Sequence, residues 1–408
     1  MNNFTYYNPV KVVFGKGSIQ KIRELVPAKA KILITYGGGS IFKNGVYDQV
    51  MTALPDRQIF QFGGIEVNPD FATLMKAVEV CKKENIDFLL SVGGGSVLDG
   101  TKFIAAAVFY NGDPWDILAK KKGGRIEKCL PIGCVMTLAA TGSELNGFSV
   151  VSRRETNEKL SFGSSLLYPV FSILDPETTK SLSLRQTANG IVDAFIHVME
   201  QYLTYDINTP LQDRQAESIL KTLLECGEAI MKAPDDYNVR ANIMWCAAQA
   251  LNGLIGCGVI QDWTSHHIGH ELTAFCGLDH ARSLALVFPV IVMHEKKSKQ
   301  QKFLQYGQRV LGVTVNEKNT DSAFAETLKR TVDFFHSLEV NTRLRDYYAN
   351  PSGVNQDEKW VEKENLTRDS FQEIIDAIAD RLSKRGVKLG EHKSIGYEEI
   401  KEILNLCW

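Results

Sequence analysis

The stretch Phe88-Leu89-Leu90-Ser91-Val92-Gly93-Gly94-Gly95-Ser96-Val97-Leu98-Asp99-Gly100-Thr101-Lys102 decides the fold class. Five strand-forming residues run directly into three glycines, and an apolar helical segment, Phe103–Phe109, follows. Glycines at such a corner let a ligand approach the backbone closely. The helix behind them offers free N–H donors and the positive end of its dipole to a phosphate. Ser96 adds a hydroxyl. A plain glycine turn that only tightens the corner fits the same letters, and the spacing matches neither GxGxxG nor GxxxxGK[ST].

Working outward, the same alternation recurs on the N-terminal side. Lys31–Thr35 (KILIT) leads to a Gly cluster, a helical pattern near Gly45–Ala53 and a β-type run at Gln58–Phe62. A further helical pattern, Phe71–Glu84, returns the chain to Phe88. Strands alternating with helices predict βαβ units and a mainly parallel sheet covered on both faces. Beyond Asp175-Pro176 the pattern turns helical. Ile219–Ile230 and Val239–Leu251 repeat apolar residues every three to four positions, and Thr367–Lys384 stops before Arg385-Gly386. Eight of the twelve prolines precede residue 180. The expectation is an α/β domain over 1–180 and an all-α domain over 181–408. The charged stretches Lys296–Gln301 and Asn355–Asn365 read as solvated helix faces.

Composition bounds the function. The 408 residues carry 46 Lys+Arg against 48 Asp+Glu, a net charge of −2, which argues against nucleic acid as a partner. No apolar run approaches the roughly 18 residues of a membrane span. The start, MNNFTYY, lacks a signal pattern, and eight cysteines include no CxxC pair, so a reducing, cytoplasmic setting is expected.

The Gly cluster after KILIT reads Tyr36-Gly37-Gly38-Gly39-Ser40, with Lys43 close behind. Dinucleotide folds that take NAD place a carboxylate at such a strand end to grip the ribose diol. Here Gly37, Gly38, Ser40 and Lys43 stand instead, small donors and a cation that suit a 2′-phosphate, so NADP(H) is favoured over NAD(H). The loop Thr137-Leu138-Ala139-Ala140-Thr141-Gly142-Ser143-Glu144 suits a helix cap as well as a cofactor contact.

Five of the eight histidines fall between 193 and 280. Asp193 and His197 are four apart, as are His266 and His270 in SHHIGHELTAF, and each pair shares a helix face. His280 follows after a turn at Cys276-Gly277-Leu278. A carboxylate with several imidazoles is the donor set of a divalent transition metal, iron, zinc or another. Burying so many imidazoles without a cation would leave polar groups unpaired at a cost.

With these motifs in hand, the chain resembles the iron-containing (group III) alcohol dehydrogenase family, which has the dehydroquinate-synthase-like fold. The resemblance rests on NPVKVVFGKGS, GGIEVNP at 63–69, GGGSVLDGTK, TGSE, the Asp193–His197 pair and SHHIGHELTAFCGLDHAR. It is similar to the branch of butanol dehydrogenases and NADPH-dependent aldehyde reductases, which also carries Tyr-Gly-Gly-Gly-Ser. The resemblance implies that Asp193, His197, His266 and His280 bind one divalent metal and that His270 lines the site; His270, or a water chain through the cofactor ribose, is then the candidate proton route. It further implies a pyrophosphate loop at Gly94, Gly95 and Ser96 with Asp99 beside it, and cofactor contacts at Thr137, Thr141 and Lys159. It also implies a homodimer acting on a small aldehyde or alcohol. A lyase of the dehydroquinate synthase kind, or a glycerol-dehydrogenase-like enzyme on a polyol or phosphorylated substrate, is the alternative within this fold. The largely apolar flanks VDAFIHVMEQY and HELTAFCGLDH disfavour a phosphorylated substrate. A non-catalytic dinucleotide-binding protein would have no use for the metal quartet.

Overall fold

Six strands lie side by side in the order β1-β8-β5-β4-β2-β3, every neighbouring pair parallel. They are β1 (Lys11–Phe14), β2 (Lys31–Thr35), β3 (Gln58–Phe62), β4 (Phe88–Gly93), β5 (Ile132–Met136) and β8 (Phe171–Leu174). Between β5 and β8 the chain makes an antiparallel hairpin, β6 (Phe148–Arg153) with β7 (Glu158–Gly163). The computed structural model describes residues 1–119, 124–349 and 366–408; the Asn355–Asn365 stretch lies outside them.

Every residue of β4, β5 and β8 is buried, which is why these segments read as unbroken apolar runs. Two cores flank the sheet. One gathers Leu89, Phe103, Ile132 and Val151; the other gathers Ile32, Val50, Phe88 and Phe171. The Phe71–Glu84 helix begins where Asp70 accepts from the Ala72 amide at 3.2 Å, and ends at Asn85 with φ 53°.

The sheet order creates a switch point. From β2 the chain crosses to β3 on one side; from β4 it crosses to β5 on the other. β2 and β4 are neighbours, so their C-terminal ends frame the crevice where parallel α/β sheets bind ligands. Gly37–Lys43 leaves one end and Gly94–Ser96 leaves the other.

The chain forms two units, and it passes between them at Thr187–Ala188 rather than near 180. One unit holds Tyr7–Thr187 together with Ala233–Gly253; the other holds Met1–Tyr6, Ala188–Lys232 and Leu254–Trp408. The Tyr237–Ala250 helix therefore belongs with the sheet. Arg240 donates to the carbonyls of Thr179 (2.5 Å) and Pro234 (2.6 Å), Trp245 meets Phe14 edge-on, and Met244 joins the sheet's core. A helical period announces a helix but not the core it joins.

The second unit is helical. The members that carry Asp193, His197, His266 and His280 are Leu184–Tyr202, Thr264–Cys276 and His280–His294, the first entering the unit at Ala188. The Arg368–Lys384 helix starts at a Thr367–Ser370 capping box and is followed by Gly386 at φ 66°. Lys296–Gln301 corrects an expectation: it opens the Lys296–Arg309 helix, but Lys299 points inward and is buried. Among the described residues no helix is long and apolar enough to cross a membrane.

Candidate metal centre and nucleotide loop

The Leu184–Tyr202 helix carries Asp193, His197 and Glu200 at i, i+4 and i+7, one buried stripe. Asp193 Oδ1 is the point of convergence. It lies 3.8 Å from His197 Nδ1, 3.9 Å from His266 Nε2 and 3.8 Å from His280 Nε2. The ligand atoms of Asp193, His266 and His280 all lie within 4.8 Å of one another. His197 joins through Asp193 and stacks on His266, ring centroids 4.5 Å apart. Two ligands on a tetrahedral cation, each about 2.1 Å from it, sit about 3.4 Å apart. The observed gaps are too long for hydrogen bonds and close to ligand spacing.

Asp193 Oδ1 and His197 Nδ1 are buried, and neither has a hydrogen-bond partner among the described residues. Burial pushes the His197 imidazole down to about 4, so the ring is neutral near pH 7 and presents a lone pair. The residues present thus fit a divalent cation. His270 stands beside them, its ring 4.9 Å from that of His280 and 6.1 Å from that of His266. Trp263 covers the flank, 5.3 Å from His266. His267, one residue round the helix, is exposed.

Four supporting residues, Glu200, Asn189, Asp279 and Arg282, escaped the sequence reading. The Glu200 carboxylate contacts His266 Nδ1 and accepts from the backbone N–H of Ser265 (2.5 Å) and of His266 (3.3 Å). That contact turns Nε2 toward Asp193. Asn189 donates to Asp279 at 2.7 Å, next to His280, and accepts from Arg282 at 3.1 Å. The available signal was position: Glu200 and Asn189 lie on the helix that carries Asp193.

In the other unit, the Gly95–Ala107 helix begins directly on the glycine loop, with Gly94 as N-cap and no side chain capping it. Its first N–H groups face the switch point. A Cβ on Gly95 would stand 2.6 Å from Thr141 Cγ2, so glycine here lets the two loops pack together. Ser96 Oγ accepts from the Asn68 amide at 3.3 Å. Thr137 donates its backbone N–H to Gly93 at 2.9 Å, and Thr141 Oγ1 accepts from the Ser143 amide at 3.2 Å. Gly37 is half-buried against Ile65 and Val97; Gly38, Ser40 and Lys43 are exposed.

Asp99 lies on the first turns of the Gly95–Ala107 helix. Its carboxylate accepts from Ser143 Oγ (2.6 Å) and the Val150 amide (2.9 Å), and burial pushes the group up. Lys102, fully buried beside it, donates to the carbonyls of Ser143 (2.7 Å), Asn146 (2.8 Å) and Phe148 (2.8 Å). Together they hold the Thr141–Phe148 segment in place. Lys159, on β7, is buried as well.

Comparison with known proteins places these features in one family. Residues 9–176 match the model of the iron-containing alcohol dehydrogenase domain, and residues 187–405 match that of the family's C-terminal domain. The chain belongs to the iron-containing alcohol dehydrogenase family. It is 50% identical over 370 residues to the NADPH-dependent aldehyde reductase YqhD of Escherichia coli, covering 90% of this chain and 95% of that one. To the probable NADH-dependent butanol dehydrogenase 2 of Bacillus subtilis it is 41% identical, over 99% of each. A crystal structure of E. coli YqhD superposes with a TM-score of 0.91 at 46% identity, covering all of this chain and 99% of the other. That of the NADH-dependent butanol dehydrogenase A from Thermotoga maritima gives 0.90 at 34%, with the same coverage.

Proposed function

We propose that this chain is an NADPH-preferring aldehyde reductase and alcohol dehydrogenase, passing a hydride reversibly between the nicotinamide and short-chain aldehydes such as butanal. The observation that carries the reading is Asp193 Oδ1 with three imidazoles within 3.9 Å of it, buried. A lyase acting on a phosphorylated substrate would need basic side chains there; this donor set is one carboxylate and three imidazoles.

Asp193, His197, His266 and His280 hold the divalent metal. A cation bound there would supply Lewis-acid polarisation of a carbonyl oxygen. Glu200 sets the ring orientation of His266, and the Asn189–Asp279 bond steadies the start of the His280–His294 helix. His270 gives the proton that the alkoxide oxygen needs, and takes it back in the oxidation direction. At the switch point, Gly94, Gly95 and Ser96 receive the pyrophosphate on backbone N–H groups. Thr137, Thr141 and Lys159 line the same loop. Gly37, Gly38, Ser40 and Lys43 receive the adenosine ribose and its 2′-phosphate. The preference for NADPH is supported by these residue types and by the YqhD relative. The butanol dehydrogenase relatives, named for NADH, make it the part of the reading to measure first. A cytoplasmic homodimer completes the proposal, to be checked by light scattering.

The test is NADPH and NADH consumption against butanal, before and after chelator treatment. Activity is expected to vanish with the metal and return with Zn(II) or Fe(II). Full turnover in chelated, metal-free protein overturns the metal role, and no coenzyme oxidation with any short aldehyde overturns the reductase reading.

A further inference from the structure

We propose that Lys299 is a positioning residue for the metal centre, its buried ammonium tying together the ends of the two helices that carry Asp193, His197 and His266. The proposal rests on the reading that these residues, with His280, bind the cation.

Lys299 is 3% exposed, in a stretch whose composition promises a solvated surface. Burying an ammonium costs several kcal/mol unless it is paired and hydrogen-bonded, so its partners carry the meaning. Nζ donates at 2.8 Å to the carbonyl of Leu203, the residue just past the Leu184–Tyr202 helix. The amide of Leu203 bonds back to Met199 at 2.8 Å, so this carbonyl extends the helix's C-terminal end, where a cation is favoured.

The second partner is Asp262, whose Oδ2 lies 2.8 Å from Nζ. Asp262 Oδ1 accepts from the hydroxyl (2.5 Å) and amide (3.2 Å) of Thr264, the first residue of the next ligand-bearing helix. The Asp262 amide in turn donates to the Glu200 carbonyl at 2.9 Å. A third group, Glu391, has Oε1 3.8 Å from Nζ, while its Oε2 accepts from the Tyr205 amide at 2.5 Å. One ammonium thus serves two carboxylates and a helix-end carbonyl. Burial alone would raise the Asp262 carboxyl; Lys299 and the two Thr264 hydrogen bonds together outweigh it and keep the group below its ordinary value.

Glu200 and Lys299 therefore join the same two helices at neighbouring levels. Glu200 meets His266 directly; Lys299 fixes the turn from which the His266 helix starts. Without the ammonium, Asp262 is left a buried anion, and the helix ends lose their common anchor. The spacing around Asp193 Oδ1 then depends on Glu200 alone.

A residue that only stabilises the fold would lower the stability of metal-free and metal-loaded protein alike. A positioning residue changes the affinity for the metal. The experiment compares Lys299→Met and Lys299→Arg with the natural chain, titrating Zn(II) against a chromophoric chelator and melting both forms. The expectation for K299M is Zn(II) affinity reduced by about tenfold or more, a melting temperature lowered in the metal-free form because Asp262 is left unpaired and lowered further in the metal-loaded form, and an unchanged KM for NADPH. K299R should restore part of the affinity. Unchanged Zn(II) affinity in K299M overturns the proposal, as does equal loss of melting temperature in both forms without loss of affinity.

His266→Ala, titrated alongside, separates this from the underlying reading. If H266A binds Zn(II) as tightly as the natural chain, the ligand assignment itself is wrong; if H266A loses Zn(II) while K299M does not, only the role of Lys299 falls. Should K299M not fold, Asp262→Asn carries the test. The amide still accepts from Thr264 but breaks the ion pair, so weaker Zn(II) binding is expected and natural affinity overturns the proposal.

Discussion

The carboxylate of Glu200 contacts Nδ1 of His266, 66 residues further along the chain, and so decides which ring nitrogen faces Asp193. A ligand imidazole free to turn about its bonds would meet a cation with either nitrogen or with carbon. Holding one edge removes that freedom before any metal arrives.

Glu200→Ala is therefore expected to weaken Zn(II) binding by about 10–100-fold, the usual cost of removing a partner of a ligand histidine. Chelator competition measures it. The melting temperature of the metal-free protein should change far less than that of the metal-loaded form. Natural affinity in E200A would mean that packing against His197 and Trp263 alone sets the ring.

The clustering of these side chains was legible in the sequence because helical spacing and donor chemistry coincide at Asp193 with His197 and at His266 with His270, with His280 close behind. Glu200 was not singled out: a carboxylate is common on a helix, and only the fold brings it to His266. The same limit hid Lys299 and Lys102, whose charge reads as surface until the chain closes around them. The strands were legible where both faces are buried, as in β4. The helix Tyr237–Ala250 was legible as a helix and misassigned to a unit, because periodicity carries no address.

His270 stands near His280 without belonging to the mutually close ligand trio. If it handles the proton on the substrate oxygen, His270→Asn should keep natural Zn(II) affinity and lower kcat by about a hundredfold or more, the usual scale of lost acid–base help. Steady-state kinetics across pH, with metal content measured on the same samples, reads both. Loss of metal in step with activity would make it a ligand instead.

Lys43 is exposed at the end of the Ser40–Lys43 turn of helix that follows β2, and the stretch Tyr36–Lys43 holds no carboxylate. Hydrogen bonds to charged groups contribute about 1.5–3 kcal/mol, and exposure puts this one at the low end. Lys43→Ala should raise KM for NADPH roughly tenfold, equivalent to about 1.4 kcal/mol, and leave KM for NADH unchanged. Equal changes for both coenzymes would remove Lys43 from the 2′-phosphate.

Glu144 and Lys102 share the buried space behind the glycine loop and pull stability in opposite directions with pH. Burial pushes the Glu144 carboxyl up to about 7, and Asp99 adds to the rise against Lys102. An unfolded chain releases that proton near 4.5, so the folded form is favoured below that value and loses the advantage as pH climbs to about 7. Burial moves Lys102 the other way, down to about 8 from 10.5. The folded form then gives up its proton first, and stability rises between those two values. Glu144→Gln removes the first slope and keeps the second. The difference in urea midpoint between E144Q and the natural chain should therefore grow from pH 5 to pH 7, by at most about 3 kcal/mol in stability, and level off above. Parallel curves across that window would show that the Glu144 carboxyl ionises at its ordinary pH, and that the oxygen left without a hydrogen bond beside Lys102 is no obstacle to its charge.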